Sequence, residues 1–157
     1  MQSSTPVSLH VPIRVTIPGI TMAGRLSIPR TATALTVCIE HPGGESEIRT
    51  LTALLAKAGI ASLTLRAEQA LALRDMVAVI DWIRSRRLLR SLPIGIIAPG
   101  AEGSAALKAA QHRPVAVPAV LVMNANSTGL PAALRWLRAR LSAVPNAACH
   151  LSVAYSA

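Results

Sequence analysis

Hydrophobic and polar positions alternate along VPIRVTI (11–17), break at Pro18 and Gly19, and alternate again through TMAGRLSIP (21–29). A period of two on both sides of a Pro-Gly break predicts a β-hairpin or two edge strands. The pattern then changes. ALTVCIE (34–40) is a continuous apolar run that stops at HPGGE, the mark of a strand covered on both faces. A helical stripe follows on Ile48, Leu51, Leu54, Leu55 and Ala58, with Glu45 and Glu47 at its positive N-terminal end and Gly59 at its stop.

IASLTLR reads as the next strand, and a second helix is expected from about 68 to 87, its core stripe on Leu73, Met76, Val77, Ile80 and Ile83. LPIGIIA is another buried strand, PGAEG a turn and SAALKAAQ a helix of small residues. VPAVLVMN predicts a strand and ANSTG a loop, and Leu130, Leu134, Leu137, Leu141 and Val144 form the apolar face of a last helix. ACHLSVAYS closes the chain as a short strand.

Two strands followed by alternating strands and helices predict an α/β three-layer sandwich. It has a mostly parallel sheet, helices on both faces joined by right-handed crossovers, and an N-terminal β-hairpin. Residues 1–10 read as a polar, flexible N-terminus and 11–157 as a single domain, large enough to bury one core without disulfides or metals. Ligands of such sheets bind beyond the carboxyl ends of the strands, which singles out loops 41–46, 66–70, 98–104 and 124–129.

Composition adds three constraints. Hydrophobic residues make up 52% while Phe is absent, so Ala, Leu, Ile and Val must build the core. A charge of +9, from 16 basic and 7 acidic residues, raises anionic partners. The densest clusters, Arg84, Arg86, Arg87, Arg90 and then Arg135, Arg138, Arg140, fall on or just after amphipathic helices and read as solvated faces. With Trp82, Trp136 and Tyr155 the only aromatics, base stacking has little to work with, and nucleic acid is not the expected partner. Cys38 reads as a buried small hydrophobe, and together with Cys149 it makes no disulfide framework, so a reducing cytoplasm is the expected location. No signal peptide is read, and no apolar run approaches the roughly 20 residues of a membrane span.

The run from LTVCIEHPGGES through LLAKAGIASLTL, VAVIDWIRS and LPIGIIAPGAEGSAALKAA to VPAVLVMN resembles the α/β-hydrolase superfamily, and within it the dienelactone hydrolase-like branch. The resemblance covers residues 22 to 125. It implies a shortened relative whose catalytic triad is missing. The family's elbow reads G-x-S-x-G, or has Cys for Ser, on a strained strand-to-helix turn. Laid on that pattern without a gap, the sequence puts Gly100 at the nucleophile and Glu102 at the second glycine; a shift of one puts Ala101 and Gly103 there. Neither Gly100 nor Ala101 can attack a carbonyl, and Ser104 falls inside the helix in both registers. After Glu102 the sequence has no Asp or Glu, so the acid that follows the nucleophile in the family is absent, and His150 is the residue that matches its catalytic histidine. In the loop that would donate to an oxyanion, Pro42 has no N–H, which leaves Gly43 and Gly44.

The candidate ligand-binding residues are accordingly His41, Gly43, Gly44 and Glu102. His41 is expected to be a turn histidine bonded to nearby backbone rather than a substrate contact. Glu102 is expected at a helix start, with a ligand-orienting role as the alternative. No H-E-x-x-H, C-x-x-C or carboxylate cluster is present, so neither metal nor cofactor is expected. The functional expectation is a non-catalytic α/β-hydrolase-like domain serving as an interaction or structural subunit, meeting a protein partner or a second copy through an uncovered sheet face or the helix that begins at Leu130. The alternative is a small serine hydrolase of carboxylic esters or lactones, with Ser104 or Ser127 as nucleophile and His150 or His41 as base.

Overall fold

The computed structural model describes residues 8–123, 130–142 and 152–155. Its strands are β1 (Ser8–Ile17), β2 (Ile20–Pro29), β3 (Ala34–Glu40), β4 (Ile60–Arg66), β5 (Ile94–Pro99), β6 (Ala119–Met123) and β7 (Ser152–Tyr155). Its helices are α1 (Glu45–Lys57), α2 (Leu73–Arg84), α3 (Gly103–His112) and α4 (Leu130–Ser142). One sheet of order β1-β2-β4-β3-β5-β6-β7 runs through the molecule, antiparallel at β1–β2 and β2–β4 and parallel from β4 to β7. The hairpin turns at Gly19, whose φ of 84° is open to glycine at no steric cost. β1 begins at Ser8, so Ser8, Leu9 and His10 belong to the sheet rather than to the N-terminal tail expected from sequence.

Alternation along each strand sorts the core into two layers. Leu35, Val37, Ile39, Ile94, Ile96 and Val120 pack under α2 and α3, while Cys38, Ile97, Ala119 and Leu121 pack under α1 and α4. The apolar runs of β3, β4 and β5 thus exist because helices press on both of their faces. Strand order reverses between β3 and β5, which opens a crevice at their carboxyl ends.

Three differences from the sequence reading have physical causes. Helix α2 starts at Leu73, not near 68, because the backbone before it is held by tertiary partners: Ala67 N–H donates to Glu40 O and Leu71 N–H to Glu102. Asp75 Oδ2 then accepts the Ala72 N–H at 3.1 Å and caps the first turn. The buried stripe of α2 is Met76, Val79, Ile80 and Ile83, and Val77, expected in it, is only half-buried. Finally, α4 lies on the α1 face although β5 to β6 and β6 to β7 step the same way across the sheet, so its crossover has the opposite hand to the right-handed one expected. Leu137 and Leu141 thereby share a core layer with Ile97 and Leu121.

The helices leave open the α1-side face of β1 and β2, and that face is polar: β1 and β2 point Val15, Ile17 and Met22 toward α2 and leave His10, Arg25 and Ser27 on the other side. Among the described residues no helix is long and apolar enough to cross a membrane.

The phase of α2 is open to measurement. Val79→Ala should cost about 2 kcal/mol in urea unfolding and Val77→Ala less than about 1 kcal/mol, the reverse of what the sequence stripe implies.

Candidate functional site

The crevice predicted by topology contains a concavity of about 280 Å³ beyond the ends of β3, β5 and β6. Ile48, Ile97 and Met123 give it apolar walls, and Glu40, His41, Glu47 and Gly100 supply its polar and backbone edges. Among the described residues no hydroxyl, thiol or amine side chain lines it.

Beneath its rim lies an ion pair. Glu102 closes a single 3-10 turn, Gly100–Glu102, between β5 and α3, and its side chain is turned inward to 1% exposure. Oε1 stands 2.9 Å from His41 Nε2 and accepts the Leu71 N–H at 3.0 Å. His41 Nδ1 is 2.9 Å from Ala67 O, and because a carbonyl only accepts, that nitrogen carries a hydrogen. Three loops, after β3, β4 and β5, are tied together by two side chains. Glu102 Oε2 has no hydrogen-bond partner among the described residues.

The glycine loop is closed on itself. Gly43, at φ 95°, donates its N–H to Glu45 Oε2 at 3.1 Å, and Gly44 donates to His41 O at 3.1 Å. The Glu45 carboxyl is held below its usual range by the N–H groups of Glu45 and Gly43, with weaker help from Arg66 and Arg49. A carboxylate therefore occupies the donors that an oxyanion would need.

Comparison with known proteins follows from this geometry. No protein-family model matches the chain, and no curated protein matches it. Among solved structures it is similar to a dienelactone hydrolase from Anabaena variabilis ATCC 29413, with a TM-score of 0.62 and 19% identity over 85% of this chain and 82% of that one. It is also similar to a novel cold-adapted esterase from an Arctic intertidal metagenomic library, with a TM-score of 0.61 and 14% identity over 99% and 72% of the two chains. A hyperthermophilic esterase from Pyrobaculum calidifontis aligns with a TM-score of 0.60 and 19% identity over 80% of this chain and 48% of that one, so this chain spans about half its length. The fold is α/β-hydrolase-like.

Within the α/β-hydrolase-like fold, α3 approaches β6 closely at Gly103. A Cβ on Gly103 would lie 2.7 Å from Val122 Cγ1 and 2.9 Å from its Cγ2, so α3 meets β6 there only because position 103 is glycine. Ala101 is exposed, and Ser104 is exposed in the first turn of α3.

The candidate residues from sequence divide clearly. His41 is bonded to nearby backbone as expected, and with Gly44 it lines the cleft. Gly43 is committed to Glu45. Glu102 sits at a helix start as expected but turns into the protein, where it holds His41 and Leu71 rather than facing a ligand. His150, Cys149 and Ser127 lie outside the described residues. Glu40 and Glu47 were missed as cleft residues; the one signal was Glu40 ending an otherwise apolar strand. Cys38 is fully buried in the α1 layer, where desolvation first and the Glu40 charge second push its thiol up to about 12.

Two outcomes follow. Glu102→Ala should lose about 2–4 kcal/mol in urea unfolding, since it strands the Leu71 N–H and frees His41. In a Cys149→Ser background, Cys38 should react with a disulfide reagent at pH 8 only after denaturation. A raised thiol favours the native state below the unfolded pKa, and that contribution declines as pH rises toward 12.

Proposed function

We propose that this chain is a non-catalytic α/β-hydrolase-like domain that works as an interaction or structural subunit, in the cytoplasm, by contact with a protein partner or a second copy of itself. The cleft lining carries this reading. Gly103, where a Cβ would strike Val122, suits the elbow's second glycine, a register that puts Ala101 where a hydrolase exposes its nucleophile, and the neighbouring side chain, Glu102, is spent on holding loops together. Both ring nitrogens of His41 are engaged, by Glu102 and by Ala67 O, so His41 is not free to act as a base. The Gly43 N–H faces the Glu45 carboxylate.

For contact with a partner, α4 offers exposed Arg135, Arg138 and Arg140 outside its buried Leu137 and Leu141, and the hairpin offers its polar face. Both surfaces suit an acidic partner better than an apolar one.

The esterase neighbours favour one second reading, a small serine hydrolase of the dienelactone hydrolase type that uses Ser104 or Ser127 with His150 or His41. One preparation separates the two. Untagged protein should show no fluorophosphonate adduct, no activated-ester hydrolysis above background, and an assembled species or co-purifying partner in size-exclusion chromatography with light scattering. A labelled monomer would overturn the proposal, and loss of the label in Ser104→Ala would identify the nucleophile.

A further inference from the structure

The polar face of the hairpin is concave. Between α1 and the α1-side face of β2 and β4 lies a groove of about 340 Å³, with Ile48, Ala53 and Ala56 as an apolar wall, Arg25, Arg49 and Lys57 as cations, and the hydroxyl residues Ser27, Ser62 and Thr64. No carboxylate lines it. The ion pairs among the described residues are His41–Glu102, Arg66–Glu45, Arg74–Asp75 and Arg113–Asp81, and none uses these three cations. Ser27, Ser62 and Thr64 are 6%, 2% and 5% exposed, so the strands hold them at the bottom of the groove, while Arg25, Arg49 and Lys57 are exposed above them.

We propose that this groove binds a small organic phosphate. Arginine and lysine with several hydroxyl donors, and no carboxylate in the lining among the described residues, are the donor set that phosphoryl oxygens require. The volume is that of a small-molecule site. Hydroxyls this deep are within reach of a compact anion and out of reach of a flat acidic protein surface. Neither Trp82 nor Trp136 lines the groove, so among the described residues it offers no platform for stacked bases. The residues involved lie along β2, β4 and the outer side of α1, apart from the elbow, so the site is independent of whether the chain is catalytic.

The test is calorimetric titration of the full chain with glycerol 3-phosphate at low ionic strength, with glycerol as control. Saturable 1:1 binding is expected, with none for glycerol. Arg25→Ala and Arg49→Ala should each weaken it about tenfold, and Arg87→Ala should leave it unchanged. Both arginines are exposed, and an unchanged unfolding midpoint would establish that the variants fold. No binding by the wild type, or equal binding by wild type and both variants, would overturn the proposal. So would a preference for phosphatidate vesicles or duplex DNA over glycerol 3-phosphate that is lost in Arg25→Ala, since the groove would then serve a membrane or a nucleic acid.

Discussion

A carboxylate buried under the edge of a sheet has to be given partners, and the partners of Glu102 come from two other loops. Oε1 takes the His41 ring and the Leu71 N–H, and the far side of the same ring takes Ala67 O. Removing either side chain leaves a desolvated polar group behind, which is why such pairs fix geometry more reliably than they add stability. The loops after β3, β4 and β5 are joined at the point where the strand order reverses. In a hydrolase that point carries a strained turn that thrusts a side chain outward. Here the turn is a 3-10 turn, with Glu102 at φ −107° and Gly103 at φ −57°, and the side chain goes inward. The positive-φ glycines among the described residues are Gly19, Gly43 and Gly59, not Gly100. Strain that a catalytic elbow would store is absent from these positions.

Close approach of the layers is the second constraint, and the absence of Phe makes it possible. Gly103 accommodates Val122, and a Cβ on Gly95 would meet Leu137 Cδ1 at 3.1 Å and Leu141 Cδ1 at 3.3 Å. Ala106, Ala109 and Ala110 present a flat face of α3 to the sheet. Layers this near leave little slack, so α4 can cover β5 and β6 only by seating its leucines over glycine. The unusual hand of its crossover is the consequence of that coverage.

Much of this was legible in the chain. The hairpin, the buried strands and the helix positions follow from periods of two and 3.6 and from Gly59 and Pro18-Gly19, because those signals are local. The start of α2 was not legible: residues 67–71 look helical until Glu40 O, His41 and Glu102 take their backbone groups, and those partners are remote in sequence. Val79 rather than Val77 lies in the buried stripe because it stands three positions after Met76 and four before Ile83, on the same helix face. At the turn after β5, the sequence AEG places Glu102 at a helix start, but its inward turn could not be read, because only His41 and Leu71, 61 and 31 positions away, give it somewhere to go. The Glu45 contact that occupies Gly43 is short-range and was available to a closer reading of PGGE as a self-closing turn.

Charge distribution bears on the chemistry more directly than net charge does. The chain has seven carboxylates, Glu40, Glu45, Glu47, Glu68, Asp75, Asp81 and Glu102, against 16 lysines and arginines. Glu40 and Glu47 line the cleft, Glu45 closes its glycine loop, and Glu102 lies beneath it. The groove beside α1 has cations and no acid. Ester hydrolysis builds negative charge on a tetrahedral oxygen, and preorganised donors or cations must meet it. Glu45 and Glu47 are exposed, so their charges reach the cleft largely through solvent, while Glu102 is buried against His41. The acids gather around the cleft, while the groove beside α1 brings Arg25, Arg49 and Lys57 together with no acid in its lining among the described residues.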